Sequence, residues 1–285
     1  MEKASKQLRR MLNEPGIIVV PGVYDALAAK IAEKAGHQAI LAGGYAVVAS
    51  LLGQPDMGII TLNEMADIVH RMSMVVNIPI IADIDTGFGE ILNVIRTIKE
   101  LESVGASAVQ MEDQVFPKRA GLTLGRKVIS TEQMIKKLHA AVDAKKDPDF
   151  VIIARTDAQP LDEAIKRSNA YYEAGADILF IEDIHSQEEM LRVNKEVKGP
   201  TLSVMVEGSG YPFFPAKKLE ELGFKMVYYC NSSLFAATKA VYKAMKKLKE
   251  PGTTEEMMDE MIQFKEFNEL IGFNEFTEIA KKYTE

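Results

Sequence analysis

Eight short runs of β-branched and aliphatic residues, GIIVV, QAILA, PIIADID, SAVQMED, FVIIART, DILFIED, TLSVMV and KMVYYC, punctuate the chain between residues 16 and 230. Their apolar positions are consecutive rather than alternating, the pattern of strands covered on both faces. Between them lie segments of helical periodicity, among them 62–76, 90–104, 131–144 and 161–174, several ending at a glycine. A strand-then-helix unit repeated in this way needs crossover connections and therefore parallel strands. An open doubly wound sheet is written with the same symbols, but eight units favour closure into a (β/α)8 TIM barrel.

The 285 residues exceed the about 250 that such a barrel needs. The expected organisation is a catalytic barrel over residues 1–250 and a C-terminal helical extension over 251–285. The extension begins after KEPGTTEE, where Thr253 and Glu256 have capping-box spacing, and carries a surplus of Met, Ile and Phe. A barrel covers itself with its own helices, so this surplus packs either on its own flank or on another subunit. At the other end, Leu8, Met11 and Leu12 predict a short amphipathic helix, with no apolar signal-peptide core.

Charge and cysteine content narrow the function. The net charge of -7 and the absence of a basic stripe argue against a nucleic-acid or acidic-membrane partner. No stretch reaches the roughly 18 to 20 apolar residues of a membrane span. The single cysteine, Cys230, excludes an internal disulfide and reads as a space-filling residue, consistent with a cytoplasmic protein. His37, His70, His139 and His185 are isolated and take no role.

Active groups of a parallel barrel gather at the C-terminal ends of its strands, and there the runs turn polar: Asp83 and Asp85, Glu112 and Asp113, Arg155 and Asp157, Glu182 and Asp183. Residues two apart on a strand share a face, so Asp83 and Asp85 are expected to address one point. Oxygen ligands without a histidine pair favour a hard cation such as Mg²⁺, although each carboxylate taken alone also reads as a helix cap. Gly43 and Gly44 offer backbone N–H donors to a carboxylate or enolate oxygen, or simply make a tight turn. Asp56 follows on the same connection. Residues 114–130 form a basic, glycine-punctuated loop of lid length, in which Lys118 and Arg119 bring positive charge over an anionic substrate.

The motifs PGVYDALAAKIAEKAG, LLGQPDMGIITLNEM, IPIIADIDTGFGE, AVQMEDQVFPKRAG, DPDFVIIARTDA and YYEAGADILFIED, in this order from about residue 15 onward, resemble the isocitrate lyase / phosphoenolpyruvate mutase superfamily, and most closely its 2-methylisocitrate lyase branch. The resemblance implies a TIM barrel that uses Mg²⁺, with Mn²⁺ as a substitute, on a small carboxylate substrate. It also implies a homotetramer with C-terminal helices exchanged between subunits. By motif, Asp83 would ligate the metal directly, and Asp56, Asp85, Glu112 and Glu182 would hold its waters. Gly43, Gly44, Arg155, Glu182 and Glu207 would bind the substrate, with Arg155 on a carboxylate. Lys118, Arg155 and Tyr45 would be the catalytic side chains.

Departures from the pattern bear on the reaction. Lyases of the branch carry KRCGH in the lid, whereas this chain has KRAGL, so Ala120 and Leu122 replace a cysteine and a histidine. Ala42 stands where a serine often precedes the glycine pair, and Val204 where relatives have asparagine. The expected activity is a carbon–carbon lyase acting through a metal-stabilised enolate. The alternatives are an oxaloacetate-type decarboxylase, which needs no acid in the lid, a phosphonopyruvate or carboxyphosphonoenolpyruvate-type phosphonate enzyme, and a silent carboxylate-binding paralogue.

Overall fold

The computed structural model describes residues 2–119, 125–250 and 252–284. Eight parallel strands close into a barrel in sequence order: β1 (Ile18–Val23), β2 (Ile40–Ala42), β3 (Ile80–Asp83), β4 (Ala108–Glu112), β5 (Val151–Thr156), β6 (Ile178–Ile181), β7 (Thr201–Met205) and β8 (Met226–Tyr229). The first helix, α1 (Ala4–Asn13), precedes β1, and α2 (Ala26–Lys34) follows it. Two helices, α3 (Gly44–Leu52) and α4 (Leu62–Ser73), separate β2 from β3. The remaining crossovers are α5 (Ile91–Ser103), α6 (Thr131–Ala144), α7 (Leu161–Glu173), α8 (Gln187–Glu196) and α9 (Ala216–Glu221).

Helix starts follow local chemistry. Asp25 caps α2 by accepting the Ala28 N–H at 2.7 Å, and reciprocal capping boxes join Thr61 to Glu64 on α4 and Ser130 to Gln133 on α6. The glycine pair opens a helix rather than a simple tight turn: Gly43 is the N-cap of α3 and Gly44 its first residue.

Strand register sorts the side chains. Val20, Ile81, Ile153, Phe180, Leu202 and Tyr228 belong to a buried cluster inside the barrel, while alternate residues such as Ala82, Val109, Ile152 and Leu179 pack outward against the helices. The N-terminal end of the barrel is stoppered by α1, whose Leu8 is fully buried in the inner cluster with Met11 and Leu12 beside it. Ser5 donates to Asp147 at 2.5 Å and Arg9 to Asp177 at 2.6 Å, which fixes the helix there.

The chain divides into two compact units, Met1–Ser233 and Leu234–Glu285, so most of α10 (Ser232–Lys249) falls in the second rather than with the barrel. That unit adds a 3-10 turn (Glu255–Glu260), α11 (Phe264–Leu270) and α12 (Phe273–Thr284). The capping box read at Thr253 and Glu256 does not form. Thr253 accepts the Glu255 N–H at 3.2 Å, and Glu256 pairs with Lys247 at 2.6 Å. Among the described residues, no helix is long and apolar enough to cross a membrane.

Candidate active site

The C-terminal mouth of the barrel is built around the end of β3. Asp83 is its last residue, and the Gly44 N–H at the start of α3 donates to its Oδ2 at 3.2 Å. The glycine N–H that the sequence assigned to a ligand is thus turned on Asp83, which also sits at the positive end of the helix. Asp83 and Asp85 do meet, but by a route other than strand alternation. The strand ends at Asp83, and Asp85 lies in a turn with φ +49°, where its N–H donates to Asp83 Oδ1 at 3.1 Å. Aspartate is among the few side chains that tolerate this left-handed conformation.

Glycine at position 44 makes a close approach possible. A Cβ there would lie 3.1 Å from Asp83 Oδ2, 3.4 Å from Asp85 Oδ1 and 3.6 Å from Asp56 Oδ2, so oxygens of three carboxylates surround one point. Lys118 is not an exposed lid residue: it is 3% exposed, with Nζ 2.5 Å from Asp56 Oδ2 and 2.9 Å from Asp85 Oδ1. Gly58, at φ +72°, lets the connection bearing Asp56 pack against this lysine, since a Cβ would come within 3.4 Å of Lys118 Cγ. The base of the 114–130 loop is anchored by an antiparallel bridge between Gln114 and Val128 and by Gln114 holding the Arg119 backbone. Arg119 is exposed, and Ala120 and Leu122 lie outside the described residues.

Across the mouth, Arg155 on β5 is enclosed by acids. Its Nε lies 2.9 Å from Asp157 and 3.3 Å from Glu112, and its Nη2 lies 2.8 Å from Asp157. Among the described residues Nη1 has only a loose contact, 3.6 Å from Glu182, and the guanidinium sits 5.2 Å over the Phe180 ring. Arg126 pairs with Asp157 at 2.5 Å and also with Asp183. Asp113 turns away from the mouth and is structural: it accepts from Thr156 and Tyr171 hydroxyls at 2.7 Å each, the Asp157 N–H at 3.0 Å and Arg167 at 3.2 Å. Glu207 accepts from Ser232 while its Oε2 has no partner among the described residues, and Tyr45 on α3 is half-exposed.

Carboxylates outnumber cations here, and their protonation reflects it. Burial, with Asp83 and Asp56 alongside, pushes Asp85 up to about 7 against the pull of Lys118. Burial likewise lifts Glu112 well above the usual range and raises Glu182, in each case against Arg155. Burial alone would lower the Lys118 ammonium, but Asp85, Glu112, Asp83 and Asp56 outweigh it and leave its pKa raised. Desolvation, then Glu182 and Glu207, push the partly buried Cys230 thiol up to about 12, in keeping with a packing role.

A family model described as phosphoenolpyruvate phosphomutase matches residues 8–249. The chain belongs to that family. It is 43% identical over 286 residues to 2,3-dimethylmalate lyase of Eubacterium barkeri, covering 99% of each chain. It is 39% identical to 2-methylisocitrate lyase of Aeropyrum pernix, covering 100% of this chain and 94% of that one. A crystal structure of 2,3-dimethylmalate lyase, a PEP mutase/isocitrate lyase superfamily member, superposes with a TM-score of 0.93 at 35% identity, covering 100% of this chain and 96% of the other. Phosphonopyruvate hydrolase in complex with oxalate and Mg²⁺ superposes with a TM-score of 0.90 at 30% identity, each chain covered fully. The present chain is a carbon–carbon lyase of this superfamily.

The donor set of this family member fits a hard divalent ion. It is all oxygen, it converges beside Gly44, and Asp56 Oδ1 and Glu112 Oε1 are buried without hydrogen-bond partners among the described residues. Among the described residues no three acids form a compact ligand group, and the Lys118 ammonium contacts both Asp56 and Asp85. Sequence reasoning missed Arg126, hidden in a loop read only as a lid, and Tyr228. The parity of β8 was the available signal for Tyr228, since Met226 and Tyr228 both point inward.

Proposed function

We propose that this enzyme is a Mg²⁺-dependent lyase that breaks a carbon–carbon bond in a small 2-hydroxy or 2-oxo di- or tricarboxylate, the class to which dimethylmalate and methylisocitrate belong. The observation that carries the reading is the convergence of Asp56, Asp83 and Asp85 oxygens on the N-terminus of α3, across the mouth from Arg155, whose side chain is 11% exposed.

Asp83, with Asp56, Asp85 and Glu112 around it, would hold the ion. When bound, Mg²⁺ supplies Lewis-acid charge that stabilises the negative charge developing on a 2-oxo acid product. Arg155 binds a substrate carboxylate through Nη1, the arm of its fork with only a loose protein partner. Its other arms are fixed by Asp157 and Glu112, which orient it before substrate arrives. Lys118 stays protonated among the acids, so its Nζ can deliver a proton to a carbanion but cannot serve as a base. Phe180, under the guanidinium, excludes water from that side.

Ala120 and Leu122 favour decarboxylation of an oxaloacetate-like acid as a second reading, because neither side chain can protonate a leaving carbanion. A panel of 2,3-dimethylmalate, 2-methylisocitrate and oxaloacetate, assayed for 2-oxo acid and CO₂ with Mg²⁺, decides between them. Cleavage of the hydroxy acids supports the lyase and CO₂ release from oxaloacetate the decarboxylase. No product from any acid above a protein-free control overturns both.

We also propose that the second unit assembles with other copies of the chain as a homotetramer with exchanged helices. Considered by itself, it exposes Tyr242, Phe264, Phe276 and Tyr283 by 66% to 83%. Light scattering on a sizing column should show four chains per particle, reduced by Phe264→Glu with Phe276→Glu. A monomeric wild type contradicts it.

A further inference from the structure

Tyr228 is a buried polar group that this chemistry leaves unused. It is level with Val20 of β1 and Val204 of β7, points into the barrel, and is 1% exposed. Its ring meets Phe180 edge-on at a centroid distance of 6.2 Å, and Phe180 carries Arg155 on its face at 5.2 Å. The phenol therefore stands one aromatic ring away from the arginine. Its hydroxyl is buried and has no hydrogen-bond partner among the described residues. On β4, across the barrel, Gln110 Oε1 is in the same condition.

An unpartnered buried hydroxyl is destabilising, and phenylalanine would fill the same space without that cost. The next residue makes the contrast. Tyr229 faces the opposite way, and its hydroxyl donates to the Phe214 carbonyl at 2.7 Å. Two adjacent tyrosines thus differ in hydrogen bonding: the outward one is satisfied by the protein, and the inward one has no partner among the described residues.

We propose that Tyr228 is a substrate-contacting residue, its hydroxyl donating a hydrogen bond to an oxygen of a carboxylate substrate that reaches from Arg155 across Phe180. The proposal rests on reading the mouth as a carboxylate site. Burial, then Asp83 and Cys230, hold the phenol well above its ordinary pKa, so it remains a donor throughout the working pH range. Tyr228 also adds selectivity, since an acid without an oxygen at that position leaves the hydroxyl unsatisfied.

The test compares Tyr228→Phe with Tyr229→Phe in the full chain with Mg²⁺. Binding of 3,3-difluorooxaloacetate, a four-carbon 2-oxo diacid, is measured by calorimetry, and stability by thermal unfolding. Tyr228→Phe should weaken binding about tenfold, near 1.4 kcal/mol, with an unchanged or higher Tm. Tyr229→Phe should keep its affinity and lose Tm. Wild-type affinity in Tyr228→Phe overturns this proposal alone, as does a fall in its Tm without loss of affinity. Failure of the wild type to bind the diacid overturns the carboxylate reading and Tyr228 with it.

Discussion

The two ends of the barrel are made from the same eight strands and follow opposite rules. At the N-terminal end, α1 stoppers the interior with Leu8, and its polar side chains find partners in Asp147 and Asp177. At the C-terminal end, oxygens of Asp56, Glu112, Glu182, Glu207 and Tyr228 are buried without hydrogen bonds among the described residues, and carboxylates crowd together with too few cations. Buried polar groups are normally satisfied. One end is therefore built for stability, and the other holds unsatisfied charge that a ligand can relieve. Natural proteins break local rules in this way mainly at functional sites.

Substitutions at the two ends should separate these roles. Asp83→Asn, which removes charge but little volume, should cut 2-oxo acid release at least about a hundredfold. Its Tm should hold or rise, as measured by calorimetric unfolding. Leu8→Ala should do the reverse, lowering stability by about 2–5 kcal/mol in denaturant titration while turnover below the transition stays near wild type. A large activity loss from Leu8→Ala without unfolding would erase the distinction between the ends.

Much of this architecture was legible in the sequence because burial on both faces writes unbroken apolar runs, and a parallel barrel leaves them few alternatives. The polar strand ends, expected to converge on one rim, do come together there. Side-chain direction was less legible. Glu112 and Asp113 look equivalent in sequence, yet strand parity sends the first to the mouth and the second into a structural network with Tyr171 and Arg167. Asp85 reaches Asp83 through a left-handed turn that no alternation rule predicts. Lys118, read as part of a lid, is drawn into the carboxylates because the Asp56 and Asp85 charges outweigh the cost of burying it. Tyr228 required the register of β8, not only its composition.

A smaller effect sharpens the comparison through pH. The folded value of Asp85, about 7, lies above the unfolded value of about 3.9. Its contribution to stability is therefore full below the unfolded value and is lost as pH rises through 7. For the chelator-treated protein, Tm should fall between pH 6 and pH 8, and added Mg²⁺ should raise it more at pH 8. Equal Mg²⁺ effects at both pH values would remove Asp85 from the account.

Calorimetric titration of Mg²⁺ into chelator-treated protein, wild type beside Asp83→Asn, tests most directly whether acids around the end of β3 hold the ion. One saturable site in the wild type, lost in Asp83→Asn, is the predicted result. Absence of binding, or equal binding by the two proteins, would contradict it.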